Sequence, residues 1–230
     1  MEKENSIEST YSRIKNFLLN SDIYPGQKIP QVEICRKMGI SFSPLREAFM
    51  ILATEGLLIH KTQRGFFVPQ IGYEELRELY DTRILIEPYL VKEAAKFMTE
   101  EKLKSIRNIH NRYQRMAAEP YSRNRLLIDK SFHLEILRMG GNHKLTQIVD
   151  GIFNLLIVRR TIVHLPPERP YRACEEHFAI LESLAKGDGK KASQLMKDHI
   201  CMIKRFVLDD LNNRQNDFDS ASYWGLSNQT

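Results

Sequence analysis

Residues 32–58, VEICRKMGISFSPLREAFMILATEGLL, decide the fold of the first part of the chain. Val32, Ile34, Cys35 and Met38 form a short apolar pattern that stops at Gly39, and glycine's freedom to take positive φ suits the tight turn between two crossing helices. The next helix is expected to begin at once, with Ser43 as N-cap and Pro44 in the first helical position, where its missing N–H is no loss. Leu45, Ala48, Phe49 and Leu52 recur at the spacing of one buried helical stripe, and Glu55-Gly56 closes it. Upstream, Ile7, Tyr11, Ile14 and Leu18 make a further stripe that ends before Tyr24-Pro25-Gly26. Downstream, Leu57-Leu58-Ile59-His60 and Phe66-Phe67-Val68 read as two short strands around the polar tip Lys61-Thr62-Gln63-Arg64-Gly65. Three helices followed by a hairpin make a winged helix-turn-helix, which predicts a DNA-binding domain over residues 1–70.

In a helix-turn-helix the N-terminal end of the second helix enters the major groove, where an arginine can contact guanine O6 and N7 through two hydrogen bonds. Arg46 is the residue in that place. Ser41 and Ser43 stand at the helix entrance, where hydroxyls and backbone N–H groups hold phosphates, and Arg36, Lys37, Arg64 and Gly65 are placed to reach the backbone or minor groove. The competing reading of Arg46 is a surface charge paired with nearby acids, and that of Lys61 and Arg64 a solvated loop tip.

The chain has 230 residues, enough for two modest domains, and its balance of 42% hydrophobic and 27% charged residues excludes wholesale disorder. A net charge of +5 permits nucleic-acid binding but is too small to decide it. No apolar run approaches the roughly 20 residues that cross a bilayer, and MEKENSIEST lacks the regions of a signal peptide, so a cytoplasmic location and no membrane partner are expected. Cys35, Cys174 and Cys201 lie far apart with no CxxC pair, which fits a reducing compartment and packing roles.

Beyond Ile71-Gly72 the pattern is helical, with breaks at Thr99, Glu119-Pro120, Gly140-Gly141, Pro166-Pro167 and Gly187-Asp188-Gly189. Six helices are expected, over 73–97, 100–117, 121–139, 142–164, 169–186 and 189–211, packed as an antiparallel bundle in a domain over 71–212, with a polar tail over 213–230. The fold class is therefore mainly α. Asp129 and His133, four apart, put a carboxylate and an imidazole on one helix face, and His177 and His199 lie on the last two helices. Bundles build metal sites from inward-facing residues of neighbouring helices, and this donor mix suits a divalent transition metal, zinc first, with nickel, manganese or iron as alternatives. The competing reading is four ordinary core or surface residues.

The segments PGQKIP (25–30), VEICRKMGIS (32–41), SPLREAFMILATEGLL (43–58) and RGFFV (64–68) resemble the GntR regulators in order and spacing, over nearly all of residues 7–69. Where that pattern carries a basic residue before the second serine of the turn, this sequence has Phe42. The segment IDKSFH (128–133) is similar to the FCD domain of the FadR-type branch, and the resemblance implies Asp129, His133, His177 and His199 as metal ligands. It extends to ELYDTRILIEPYLVKEAA (78–95), where Arg83 and Glu87 match an arginine and a glutamate four apart. Arg83 either pairs with Glu87 or recognises a carboxylate effector whose other oxygen sits on the metal. Six helices resemble the shorter FCD subgroup, which implies a small organic acid as effector.

The expectation is a transcription regulator and not an enzyme: a homodimer on a palindromic double-stranded DNA operator, with half-sites one helical turn apart and affinity set by the effector. Two alternatives carry the same residues, a metal-dependent enzyme using the Asp/His site and a sensor of the metal itself.

Overall fold

A computed structural model describes residues 7–119, 122–159 and 165–224, with side chains through residue 213. The described residues hold nine α-helices and one two-stranded sheet, and they divide into two compact units. The first comprises the chain through Ile71 together with a segment from Asp150 on, and the second takes the rest.

In the first unit, α1 (Ile7–Asn20) turns Ile14 and Leu18 inward. The next helix, α2 (Gln31–Met38), ends at Gly39, whose φ of +64° lets its N–H return to the Cys35 carbonyl. After it, α3 (Phe42–Thr54) buries Leu45, Ala48, Phe49 and Leu52. Strands β1 (Ile59–Lys61) and β2 (Gly65–Phe67) pair antiparallel with His60 opposite Phe66. The core lies between helices and hairpin, with the rings of Phe49 and Phe66 centred 5.0 Å apart.

One expectation is corrected here. The helix starts at Phe42 and its N-cap is Ser41, in extended backbone, so Ser43 and Pro44 are the second and third helical residues. Proline is tolerated throughout the first turn, because none of those N–H groups has an intrahelical acceptor, and so its presence does not fix the start.

The second unit begins with α4 (Tyr73–Ala94), which runs into a 3₁₀ turn over Ala95–Phe97. It continues with α5 (Glu100–Arg115), α6 (Arg123–Met139), α7 (His143–Arg159), α8 (Arg169–Ala185) and α9 (Gly189–Trp224). The second half of α7 belongs to the first unit. Thr99 caps α5, its hydroxyl accepting from the Lys102 N–H at 3.3 Å. Packing closes a ring in which α4 lies against α6, α6 against α5, α5 against α8, α8 against α9, and α9 against α4.

The last helix does not stop at 211 but continues to Trp224, into the stretch expected to be a tail. No glycine or proline interrupts it after Gly189, so nothing local stops a helix that packing has nucleated. The expected helix limits at 121 and 164, and the last residues of the chain, lie outside the described residues.

Two glycines hold the ends of α6 and α9 against α4. A Cβ on Gly140 would sit 2.6 Å from the Leu90 carbonyl oxygen, and one on Gly189 would sit 2.7 Å from that of Lys92. Gly151, inside α7, has nothing within 4 Å of its added Cβ. We expect Gly140→Ala to lower unfolding stability by about 1–3 kcal/mol, the cost of overpacking a rigid contact. Gly151→Ala should raise it by up to about 1 kcal/mol, as glycine is a poor helix former. Urea denaturation of the two variants measures both.

Candidate functional site

Helix α6 presents Asp129 and His133 one turn apart, α8 supplies His177 and α9 supplies His199. One candidate ligand atom from each of these four residues lies within 4.8 Å of the others. The three imidazoles are buried and Asp129 is half-buried. Ring centroids are 5.6 Å apart for His133 and His177, 5.3 Å for His133 and His199, and 4.7 Å for His177 and His199. Such crowding of like donors in a dry interior disfavours the cationic forms of His177 and His199. Burial, followed by the charges of its neighbours His199 and His133, takes His177 well below the ordinary histidine range. Burial also lowers His199, against the opposing pull of Glu176.

Two of the rings are held by carboxylates. His133 Nδ1 pairs with Glu87 Oε2 at 2.5 Å, and Arg83 Nε donates to Glu87 Oε1, also at 2.5 Å. His199 Nδ1 pairs with Glu176 Oε2 at 2.6 Å, and Arg169 grips the same carboxylate through both terminal nitrogens at 2.8 and 3.2 Å. With Nδ1 engaged, Nε2 is the nitrogen that each ring can offer to the cluster, an arrangement in which an outer carboxylate fixes a ligating imidazole. Burial pushes the Glu87 carboxyl up, but Arg83 and then His133 outweigh it and hold it at about 2. Glu176 is also held below the usual range: burial works against this, and the hydrogen bond from His199 and the charge of Arg169 prevail.

His177 is oriented differently. Phe132 stacks on it with centroids 4.0 Å apart and planes 18° apart, Tyr113 lies 4.9 Å away, and its Nε2 faces Asp129 Oδ1 at 3.5 Å. Neither ring nitrogen of this fully buried histidine has a hydrogen bond among the described residues. A buried polar group left so is costly unless something else binds it.

These observations fit a metal. Three imidazoles and a carboxylate are donors that first-row divalent ions accept, and atoms opposite each other across an ion at about 2.1 Å stand about 4.2 Å apart, so small side-chain shifts close a 4.8 Å spread. Cys174 stays outside the cluster, its thiol donating to the Pro170 carbonyl at 3.2 Å and pushed up to about 11 by burial. Arg83 pairs with Glu87, the simpler of the two readings its spacing allows, and its charge also reaches Asp129. Glu176, Arg169 and the buried pair Arg125–Tyr113, joined by a 3.0 Å hydrogen bond, escaped the sequence reading. The seven-residue spacing of Arg169 and Glu176 is two helical turns and could have linked them, but nothing in CEEH tells which glutamate faces inward.

In the first unit, Ser41, Ser43 and Arg46 are exposed at the start of α3, and Arg36 and Lys37 are exposed in the last turn of α2. The Ser43 hydroxyl lies 3.3 Å from Glu47 Oε1. On the wing, the guanidinium of Arg64 stands 5.9 Å from the Phe67 ring centre, and Gly65 has a φ of +95°.

The family model described as "Bacterial regulatory proteins, gntR family" matches residues 6–68, and that of the FCD domain matches residues 78–201. The Nta operon transcriptional regulator of Aminobacter aminovorans is 30% identical over 176 residues, covering 76% of this chain and 82% of that protein. The transcriptional repressor RspR of Escherichia coli (strain K12) is 28% identical over 213 residues, covering 87% and 88%. Among solved structures, E. coli McbR/YncC matches with a TM-score of 0.77 at 17% identity over 88% of this chain and 97% of that one. A GntR regulator from Rhodococcus sp. RHA1 matches with 0.76 at 20% over the same shares. At these identities the structures establish a shared fold.

Glu87→Gln removes the carboxylate that the buried Arg83 and His133 close on, so it should destabilise EDTA-treated protein by about 3–5 kcal/mol. Glu176→Gln, on a partly exposed carboxylate, should cost less. Urea denaturation of both variants tests the order.

Proposed function

Because the chain belongs to the gntR family of bacterial regulatory proteins and carries an FCD domain over residues 78–201, we propose that it is a transcription regulator whose grip on its operator is set by a small organic acid bound at a metal in the second unit. The observation that carries this reading is the convergence of Asp129, His133, His177 and His199 within 4.8 Å. These four residues would hold the ion, zinc first and nickel, manganese or iron as alternatives. Bound there, the ion supplies a Lewis-acidic anchor for an effector carboxylate.

The chain's own residues do the remainder. Glu87 and Glu176 fix the rings of His133 and His199, and Phe132 fixes that of His177 by stacking. Arg83, buried next to this cluster and electrostatically coupled to Asp129, is the cationic group toward which an effector carboxylate would turn. In the first unit, Arg46 reads guanine in the major groove, Ser41 and Ser43 hold phosphates at the start of α3, and Arg36, Lys37, Arg64 and Gly65 follow the backbone or minor groove. The working form is a homodimer in the cytoplasm, its two recognition helices meeting half-sites roughly 34 Å apart on a palindromic operator. The effector acts by binding the DNA-competent and incompetent arrangements unequally.

Three measurements test this. Elemental analysis of purified protein should find one divalent ion per chain, and His177→Ala and His199→Ala should lose it; ion-free wild type that takes up none on titration overturns the metal reading. Selection from random duplexes at fixed salt should yield a palindrome that Arg46→Ala relaxes, with binding weakened by about 1–3 kcal/mol. Organic acids are then screened on that palindrome by fluorescence anisotropy, where one that shifts wild-type affinity should leave His177→Ala unmoved. If only the ion itself shifts affinity, the protein senses the metal.

A further inference from the structure

The inner stripe of α3 is fully buried at Leu45, Ala48, Phe49 and Leu52. Phe42, the first residue of that helix, is instead 54% exposed and is flanked by the exposed Ser41 and Ser43. It stands four residues before Arg46 and eight before the exposed Met50, so the three share one line along the outer face of the helix. A single exposed apolar side chain needs no explanation by itself. This one lies at the end of the helix that enters the major groove, and in line with the cation best placed to read a base there.

We propose that Phe42 is a specificity-determining residue, packing its ring against the C5-methyl group of a thymine in each half-site of the operator. The ring offers no hydrogen bond, so it cannot distinguish bases by donors and acceptors. The thymine methyl is the apolar group that the four unmodified bases display in the major groove, and apolar side chains read it by contact. Ser41 and Ser43 on either side can bind phosphate without competing for that methyl. The preference for thymine therefore falls next to the base pair read by Arg46, one helical turn further along α3. This inference rests on the placement of α3 in the major groove proposed above.

The test uses the full chain and the palindrome selected by the wild type. Each thymine is replaced singly by deoxyuridine, which removes only the methyl, and affinities are measured for wild type, Phe42→Ala and Arg46→Ala at one salt concentration. We expect one thymine per half-site at which the replacement weakens wild-type binding about three- to five-fold, the effect of burying one methyl group. Phe42→Ala, on an exposed position that leaves the fold intact, should bind the two duplexes equally. Placing 5-methylcytosine at that position should bind wild type more tightly than cytosine does, and Phe42→Ala no differently. A wild type indifferent to every replacement, while Arg46→Ala still relaxes the selected sequence, overturns the role of Phe42 and leaves the reading of α3 standing. A penalty that persists in Phe42→Ala assigns the methyl to another residue. If Arg46→Ala leaves the selected sequence unchanged, α3 is not the reading element and the inference falls with it.

Discussion

Glu87 is a fully buried carboxylate inside a ring of helices, and much of the second unit is arranged to make that tolerable. An isolated charge there would be several kcal/mol unfavourable. Arg83 closes on one oxygen from one turn earlier on α4, and His133 closes on the other from α6. The arrangement recurs across the ring with Arg169, Glu176 and His199, which tie α8 to α9. Each arginine thus neutralises a glutamate that orients an imidazole, so the polar interior acts as a set of rigid brackets around the histidine cluster.

The same logic separates what could be read in the sequence from what could not. Helix spacing announced the pair Asp129 and His133, because four residues is one turn whatever the tertiary structure. His177 and His199 could be joined to them only as candidates from a bundle, with the resemblance in support, since spacing cannot say which faces of different helices meet. Glu176 illustrates the limit: it sits beside Glu175 in the chain, and only the packing of α8 against α9 decides which of the two meets His199. Arg83 shows the opposite case, where a contact within one helix was already written in the spacing.

In the first unit, the buried stripe of α3 and the stop at Gly39 were plain in the sequence because periodicity and backbone freedom act locally. The start of α3 was not. Proline constrains only its own N–H and the residue before it, and the whole first turn of a helix accepts it. The two-residue difference matters, because it places Phe42 and Ser43 within the helix and puts Ser41 at the N-cap position. The end of α9 was missed for a related reason: polar composition suggested a tail, yet composition alone does not end a helix that contains no breaking residue.

The first unit does not end where the wing ends. It includes the second half of α7, where Leu155 and Arg159 lie 3.5 and 3.8 Å from the Cβ that Gly56 lacks and Arg159 donates to the Gln70 carbonyl at 3.0 Å. A reading head assembled from two stretches some eighty residues apart is not a bead that recombination can cut out at residue 71. A chimera that transplants only the N-terminal stretch leaves behind the α7 side chains that pack at Gly56 and hold the Gln70 carbonyl, and so carries an incomplete surface to its new host.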